Sequence, residues 1–320
     1  MSLAGINPRV DALTLLVEKR HLGESDLAIT AVGVGTAPIG SSPGTWWVNW
    51  GPQDERDAVR AIHAALDVGV NWIDTAPFYG WGRAEEIVGR AIHGRDGVLV
   101  FTKCGTLRRP DGSDYMDLRP EAIRADVEDS LRRLGIDRLD LLQIHDRDPS
   151  VPIEETWAAI LELVAEGKVR HGGISNHRPE EVERALAVGP VAALQYEYSV
   201  LARGVEEAIL PLALARGLGV IVWGPLASGF LTDGFSVELL NEDDFRRGHR
   251  FAQLELEPVR SALGAGRRTA AQGAIGFVLS HPAVTGAIVG VRNQQEGAEL
   301  AQMAELRLTR DEVVAIASTV

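Results

Sequence analysis

The sequence predicts an α/β protein organised as a single (β/α)8 TIM barrel. Three observations carry that expectation. From about residue 30 onward short β-rich runs alternate with amphipathic helical segments, eight such beats can be counted, and no series of consecutive hairpins interrupts them. An open doubly wound sheet would share the alternation, but eight strands each coupled to a helix favour closure into a barrel. The length of 320 residues does not decide the matter, since a barrel of this kind commonly runs at about 250 residues or more as one unit.

In chain order, residues 1–13 carry little pattern and are expected to form an N-terminal extension, leaving residues 14–320 as the barrel domain. Thr14-Leu-Leu-Val-Glu-Lys and Leu27-Ala-Ile-Thr flank Gly23-Glu-Ser-Asp, a β-hairpin pattern placed to plug the bottom of the barrel. The strand candidates are Ala31-Val-Gly-Val-Gly, Asn71-Trp-Ile-Asp, Val98-Leu-Val-Phe-Thr, Leu139-Asp-Leu-Leu-Gln-Ile, His171-Gly-Gly-Ile-Ser, Ala193-Leu-Gln-Tyr, Gly219-Val-Ile-Val-Trp and Gly286-Ala-Ile-Val-Gly. From Glu55 to Val68, Ala58, Val59, Ile62, Ala65 and Leu66 recur at helical spacing, and Gly69 can end that helix with positive φ. Pro120 opens a helix to Leu134 with Glu121 beside its positive end and Gly135 after it, and Pro179 with Glu180 and Glu181 repeats the arrangement. Segments 37–53, 105–118 and 226–258 are long and irregular, and each is expected to hang over the carboxyl-end face of the barrel.

Composition narrows the function classes. With 45% hydrophobic and 24% charged residues and a mean hydropathy of zero, the chain has material for a large core. A formal charge of −13 and a pI near 5.1 disfavour nonspecific nucleic-acid binding, because no basic surface is available to release counterions. The lone Cys104 rules out an intramolecular disulfide and a Cys-rich zinc site. No apolar stretch approaches the length of a membrane span and the N-terminus lacks a signal-peptide pattern, so a cytoplasmic location is expected, with neither membrane nor nucleic acid as partner.

Asp74, Tyr79, Lys103 and His145 each stand at or just past the downstream end of an apolar run, where a parallel α/β protein collects its chemistry. A tyrosine hydroxyl, with an ordinary pKa of about 10, is a poor acid at neutral pH unless a nearby cation stabilises the phenolate. Lys103 is a suitable cation, Asp74 a counterion able to hold it charged, and His145 a second hydrogen-bond donor to an oxygen that gains negative charge. Such a set can protonate a carbonyl oxygen while its carbon receives a hydride.

The stretches Trp72-Ile-Asp-Thr-Ala-Pro-Phe-Tyr-Gly, Phe101-Thr-Lys, Leu141-Leu-Gln-Ile-His and Gly173-Ile-Ser-Asn resemble the motifs of the aldo-keto reductases, in that family's order, within a resemblance spanning about Leu22 to Leu308. The resemblance implies that Asp74, Tyr79, Lys103 and His145 form a catalytic tetrad and that small aldehydes or ketones are reduced with NADP(H), or alcohols oxidised in reverse. It also implies that Ser175, Asn176 and Gln195 hold the nicotinamide carboxamide. Trp223 is implied as the stacking platform, and Gly224, Pro225, Leu226, Ser228 and Gly229 as the segment beside the pyrophosphate. Gly290, Arg292 and Glu296 match the segment at the adenosine phosphate, where Arg292 could pair with a 2′-phosphate. Glu296 and Leu300 depart from the family's usual Gln or Arg and Asn, and an acidic side chain there would repel that phosphate. NAD(H) therefore stays open, as does an NAD-dependent sugar or alcohol dehydrogenase on the same scaffold, or a redox-sensing binding subunit with little turnover.

Plainer readings stand beside these. Asp74 alone could cap a turn, and Tyr79 alone could be a packed aromatic, whereas a lysine ending an apolar strand rarely stays buried without a partner. His145 with Asp146 and Asp148 lacks a further histidine or cysteine for a metal, so no metal is expected, and His171 and His177 read as solvated or capping residues. Gly33-Val-Gly-Thr-Ala-Pro-Ile-Gly has Pro38 where a dinucleotide fingerprint needs its third glycine. Trp46, Trp47, Phe78 and Trp81, with Trp50, either wall a substrate pocket or pack the long loops.

Overall fold

The computed structural model describes residues 18–41 and 46–320. Eight parallel strands close into a barrel: β1 (Val32–Gly35), β2 (Trp72–Asp74), β3 (Leu99–Cys104), β4 (Leu139–Ile144), β5 (Val169–Ser175), β6 (Ala193–Glu197), β7 (Gly219–Trp223) and β8 (Gly286–Gly290). They neighbour one another in sequence order, and β8 returns to β1 with Val289 level with Val34 and Gly290 level with Gly35. All eight fall where the alternation places them, with bounds shifted by two residues at most.

The pleat sends alternate residues to opposite sides of each strand. Trp72, Phe101, Leu141, Ala193, Ile221 and Ile288 form a buried cluster together with Leu22, Leu27 and Ile29, and fill the barrel interior. Each large side chain removed fully from water contributes roughly 1.5–3 kcal/mol. Gly33 is dictated by this filling, because a Cβ there would lie 2.2 Å from the Trp72 indole. The Trp72 Nε1 meanwhile donates to the Thr30 carbonyl at 2.9 Å.

The N-terminal hairpin closes the lower end. Lys19–His21 pairs antiparallel with Ala28–Thr30, and the leucines at its turn are wholly buried in the interior cluster. Its first arm is described from Lys19. Residues 14–17, like the extension 1–13 and positions 42–45 of the first long segment, lie outside the described residues.

A second, larger apolar cluster lies between the barrel and its helices. The helix Glu55–Asp67 buries Ala58, Ala61, Ile62 and Ala65, and Asp54 caps it by accepting from the Arg56 and Asp57 amides. The helices Pro120–Leu134 and Pro179–Val188 begin at the prolines that signal them. Among the described residues no helix is long and apolar enough to cross a membrane.

All three long segments follow strands on the carboxyl-end face. The first begins with a short helix, Ala37–Gly40, and the third carries only short 3-10 turns before the helix Glu257–Leu263. The segment 105–118 is not irregular as its composition indicates: Thr106–Arg108 pairs antiparallel with Asp114–Met116. That hairpin is rooted by Asp126, whose Oδ2 accepts from the Gly105 amide at 2.8 Å.

Burial raises the Asp126 pKa from 3.8 to about 6, with Glu85 and Asp129 adding to the shift while Gly105 and Arg133 oppose it. A folded pKa above the unfolded one means that the native state binds the proton more tightly. The charged form therefore lowers stability above about pH 6, and that penalty disappears as pH falls through 6 toward 4. Asp126→Asn keeps an oxygen acceptor for Gly105, and we expect it to be more stable than wild type at pH 8 by on the order of 1–3 kcal/mol, converging near pH 4. Urea unfolding at the two pH values checks this; a variant less stable at pH 8 would contradict it.

Candidate active site

Inward positions at the upper ends of neighbouring strands bring four polar residues together. Asp74 ends β2, Lys103 is the fifth residue of β3, Gln143 of β4 stands level with Lys103, and Gln195 of β6 stands level with Ser175 of β5. Lys103 and Asp74 are 1% and 2% exposed, and Lys103 Nζ lies 2.5 Å from Asp74 Oδ1. Nζ also donates to the Thr75 carbonyl at 3.0 Å. The other carboxylate oxygen accepts from Gln195 Nε2 at 2.8 Å and Gln143 Nε2 at 3.2 Å, and Gln195 Nε2 further donates to Gln143 Oε1 at 2.9 Å. Two ions withdrawn from water this completely persist only when paired and hydrogen-bonded, and here both conditions are met.

Tyr79 stands above this pair on the turn after β2, with Lys103 Nζ 5.0 Å from its ring centroid. Burial raises the phenol pKa above its ordinary value; the Lys103 charge pulls it down and Asp74 pushes it up again. Lys103 therefore acts in the expected direction, but burial outweighs it and the hydroxyl holds its proton. For Lys103 itself burial disfavours the ammonium, yet Asp74 and Tyr79 more than offset this and keep its pKa above the ordinary value. His145, just past β4, has its ring 5.8 Å from that of Tyr79. Burial, and then the Lys103 charge, drive its pKa well below 6.5, so it is a neutral imidazole. Burial likewise raises the Cys104 thiol and keeps it protonated.

Beside this group lie parts suited to a nicotinamide nucleotide. Ser175 Oγ is buried without a hydrogen-bond partner among the described residues, a hydroxyl left available for a carboxamide. Trp223 is 36% exposed at the end of β7, and its Nε1 donates to Asn176 Oδ1 at 3.3 Å. Asn176 Nδ2 donates to the His145 carbonyl, and its backbone is left-handed with φ of 57°. Ala227 and Ser228 also have positive φ, at 47° and 57°, next to Gly224 and Gly229, also with positive φ. Backbone strain of this kind gathers at ligand-binding segments. Pro225 and Leu226 complete the turn, with the Ala227 amide donating to the Gly224 carbonyl.

Several residues assigned to the cofactor from the sequence already have partners within the chain. Gln195 turns its amide nitrogen to Asp74 and Gln143, so that donor holds the ion pair rather than facing a carboxamide. Arg292 is engaged by the segment after β1. Its Nη1 donates to the Trp50 carbonyl and Nη2 to the Pro52 carbonyl, both at 2.7 Å, and Nε donates to Gln53 Oε1 at 3.0 Å. Glu296 caps the start of the helix Gln294–Glu305, accepting from the Arg292 amide and Asn293 Nδ2 while Asn293 Oδ1 accepts from the Glu296 amide. Gly290 ends β8 against Pro38. Of the two expectations for His177, solvated or capping, burial excludes the first: it is 5% exposed, with Nδ1 2.7 Å from the Ser175 carbonyl of its own turn.

The aromatic residues divide. Trp46, 4% exposed, packs 5.8 Å from Tyr79 and edge-on to Phe78 at 5.1 Å, and Phe78 in turn meets His145 and Trp81. Trp47 is 62% exposed and donates to Asp114 Oδ1, tying the first long segment to the hairpin after β3. Asp146 and Asp148 accept from backbone amides of their own turn, at Arg147 and Ser150. Among the described residues no group of three or more His, Cys, Asp or Glu could hold a metal ion.

Sequence reasoning missed Gln143 as a support of Asp74, although it shares the inward alternation with Leu141 and His145. It also missed Arg246, which clasps Asp244 and reaches the Ser228 carbonyl at 3.4 Å, and Phe245, which packs on Trp50. No pattern in 226–258 marks them.

A closed barrel with a buried Lys–Asp pair beneath a tyrosine at its carboxyl-end mouth is the arrangement that the resemblance in sequence implies, and the comparisons identify the class as a family of oxidoreductases. The Aldo/keto reductase family model matches residues 33–320, and the chain belongs to that family. It is 37% identical over 231 residues to the NADH-specific methylglyoxal reductase of Escherichia coli (strain K12), covering 68% of this chain and 69% of that protein. The glycerol dehydrogenase AKR11B4 from Gluconobacter oxydans superposes with a TM-score of 0.84 at 32% identity, covering 94% of each chain. An aldo/keto reductase from Klebsiella pneumoniae in complex with NADP and acetate superposes with a TM-score of 0.72 at 30% identity, covering 95% of each.

Removing one member of the buried pair strands the other. We expect Asp74→Asn to lower unfolding stability by about 3–5 kcal/mol, and Asp74→Asn combined with Lys103→Met to recover part of that loss. Denaturant unfolding of the two variants measures it, and a single variant as stable as wild type would show that the pair is not desolvated as described.

Proposed function

We propose that this chain transfers a hydride between a nicotinamide nucleotide, NADP(H) in the leading reading, and the carbonyl carbon of a small aldehyde or ketone, with Tyr79 as the general acid. The observation that carries the proposal is the buried Asp74–Lys103 pair set directly under the Tyr79 ring. The bound nicotinamide would supply the hydride. Ser175 would hold its carboxamide, Trp223 would offer the indole face against the ring, and residues 224–229 would run beside the pyrophosphate.

On the substrate side, the Tyr79 hydroxyl donates its proton to the carbonyl oxygen as the carbon gains the hydride, leaving an alcohol. Lys103 stabilises the phenolate that remains, Asp74 keeps Lys103 charged and oriented, and neutral His145 donates a hydrogen bond that sets the carbonyl's direction. In reverse, the phenolate takes the proton of an alcohol. The raised Tyr79 pKa suits the acid role, since the proton is present at neutral pH. Trp46, Phe78 and Trp81 would form the apolar wall of the pocket.

A second reading, an NAD(H)-linked sugar or alcohol dehydrogenase, has one specific support. The Arg292 guanidinium, the candidate partner of a 2′-phosphate, is committed to carbonyls after β1.

Two measurements decide between these readings and test the chemistry. Tyr79→Phe should lower carbonyl reduction by about 100-fold or more while nucleotide dissociation constants stay within about threefold; reduction near the wild-type rate would remove Tyr79 from its role, and a wild type with no turnover would favour a binding subunit. Titration of wild type with NADPH and NADH should give tighter NADPH binding, and tighter NADH binding would replace the leading cofactor reading with the second.

A further inference from the structure

Arg292 matches the segment that family resemblance associates with the adenosine phosphate, yet its side-chain hydrogen bonds among the described residues all run to the segment after β1. Three consecutive carbonyls, those of Trp50, Gly51 and Pro52, accept from its two terminal nitrogens at 2.7, 3.4 and 2.7 Å. Gln53 closes the clasp from both sides, accepting from Arg292 Nε and donating through Nε2 to the Arg292 carbonyl at 3.0 Å. Successive carbonyls that point the same way cannot satisfy one another in a turn, and a planar fork of donors is the side chain best shaped to gather them. To pair with a phosphate through both terminal nitrogens the guanidinium would have to give up acceptors that it now holds.

What the clasp holds matters for the pocket. The Trp50 amide donates to Ser41 Oγ at 2.8 Å, its indole packs edge-on to Phe245 at 4.7 Å, and it lies 5.9 Å from Trp46. Trp46 is the residue that packs 5.8 Å from the Tyr79 ring. The stretch from β8 to Trp50 to Trp46 to Tyr79 is thus continuous, and its first link is Arg292.

We propose that Arg292 is a positioning residue for the aromatic wall of the carbonyl pocket, acting through the Trp50–Gln53 backbone, and is not a ligand of the cofactor's 2′-phosphate. This rests on the reading that carbonyls are reduced at Tyr79. Arg292 sets the shape of the pocket without touching substrate, so its loss should appear in substrate affinity and leave the hydride step largely intact.

The test uses Arg292→Ala, Arg292→Lys and Gln53→Ala in the full chain, with four readouts: NADPH and NADH dissociation constants, carbonyl KM, kcat, and acrylamide quenching of tryptophan fluorescence. Arg292→Ala should raise carbonyl KM about tenfold, with kcat and both nucleotide constants within about threefold and with increased quenching. Gln53→Ala should move KM and quenching in the same direction by less, and Arg292→Lys should recover part of the loss. A tenfold loss of NADPH binding with NADH unchanged in Arg292→Ala would overturn the proposal, as would an unchanged KM in both alanine variants. Should Arg292→Ala fail to fold, Gln53→Ala tests the clasp from its other side: a raised KM with increased quenching would uphold it, and an unchanged KM would overturn it. A wild-type protein that reduces no carbonyl would instead defeat the proposed function, while quenching in the two alanine variants would still test the clasp: increased quenching would uphold it and unchanged quenching would overturn it.

Discussion

The buried ion pair of Asp74 and Lys103 is the constraint around which the upper half of the barrel is arranged. A lysine and an aspartate with almost no exposure would each cost several kcal/mol alone, so the surroundings have to supply what water no longer does. Strand ends β4 and β6 contribute the two glutamine amides that satisfy the second carboxylate oxygen, and the Thr75 carbonyl takes another of the ammonium's protons. The pair in turn sets the field at Tyr79 and His145. Its cation opposes the burial of the phenol and helps to keep the imidazole neutral, which separates one proton donor of high pKa from one hydrogen-bonding group without charge.

The interior filling explains why this can be held so closely. Below the polar level, Trp72, Phe101 and Leu141 occupy the same inward alternation as Asp74, Lys103 and Gln143, two residues earlier on each strand. A close-packed layer underneath leaves little room for the strands to shift, so the groups above inherit its rigidity. The loops are held differently, by hydrogen bonds and aromatic contacts between distant segments: Asn49 Nδ2 to Asp243 Oδ2 at 2.6 Å, Trp50 against Phe245, and Trp47 to Asp114. Such ties can exchange for water at small net cost, which makes the pocket wall more adjustable than the ion pair it covers.

Much of this was legible in the chain. All eight strands follow from short apolar runs bounded by turns, and the helix starts at Pro120 and Pro179 follow from a residue that fits only a first turn. Asp74, Tyr79, Lys103 and His145 could be singled out because charge or a polar tip at the end of an apolar strand needs a reason. The hairpin in 105–118 was not legible, because Gly105 to Leu118 reads as loop chemistry and its pairing depends on Asp126, an inward-facing acid on the next helix. Gln195, Arg292 and Glu296 could be located but not given partners, since each bonds to residues that lie far off in sequence or in a cap geometry that residue type alone does not reveal.

The sequence by itself determined the barrel, its order of strands and the four residues at its mouth, because period-two burial and strand-end polarity are local properties that every strand expresses in its own few residues. Tertiary structure alone decided which hydrogen bonds those residues spend. The Arg292 fork closes on carbonyls some 240 positions earlier, and the Asp74 carboxylate meets an amide from β6, more than 100 residues away. Donors and acceptors carry no address in the chain; only closure of the barrel brings them within reach, and burial then fixes which partner is kept.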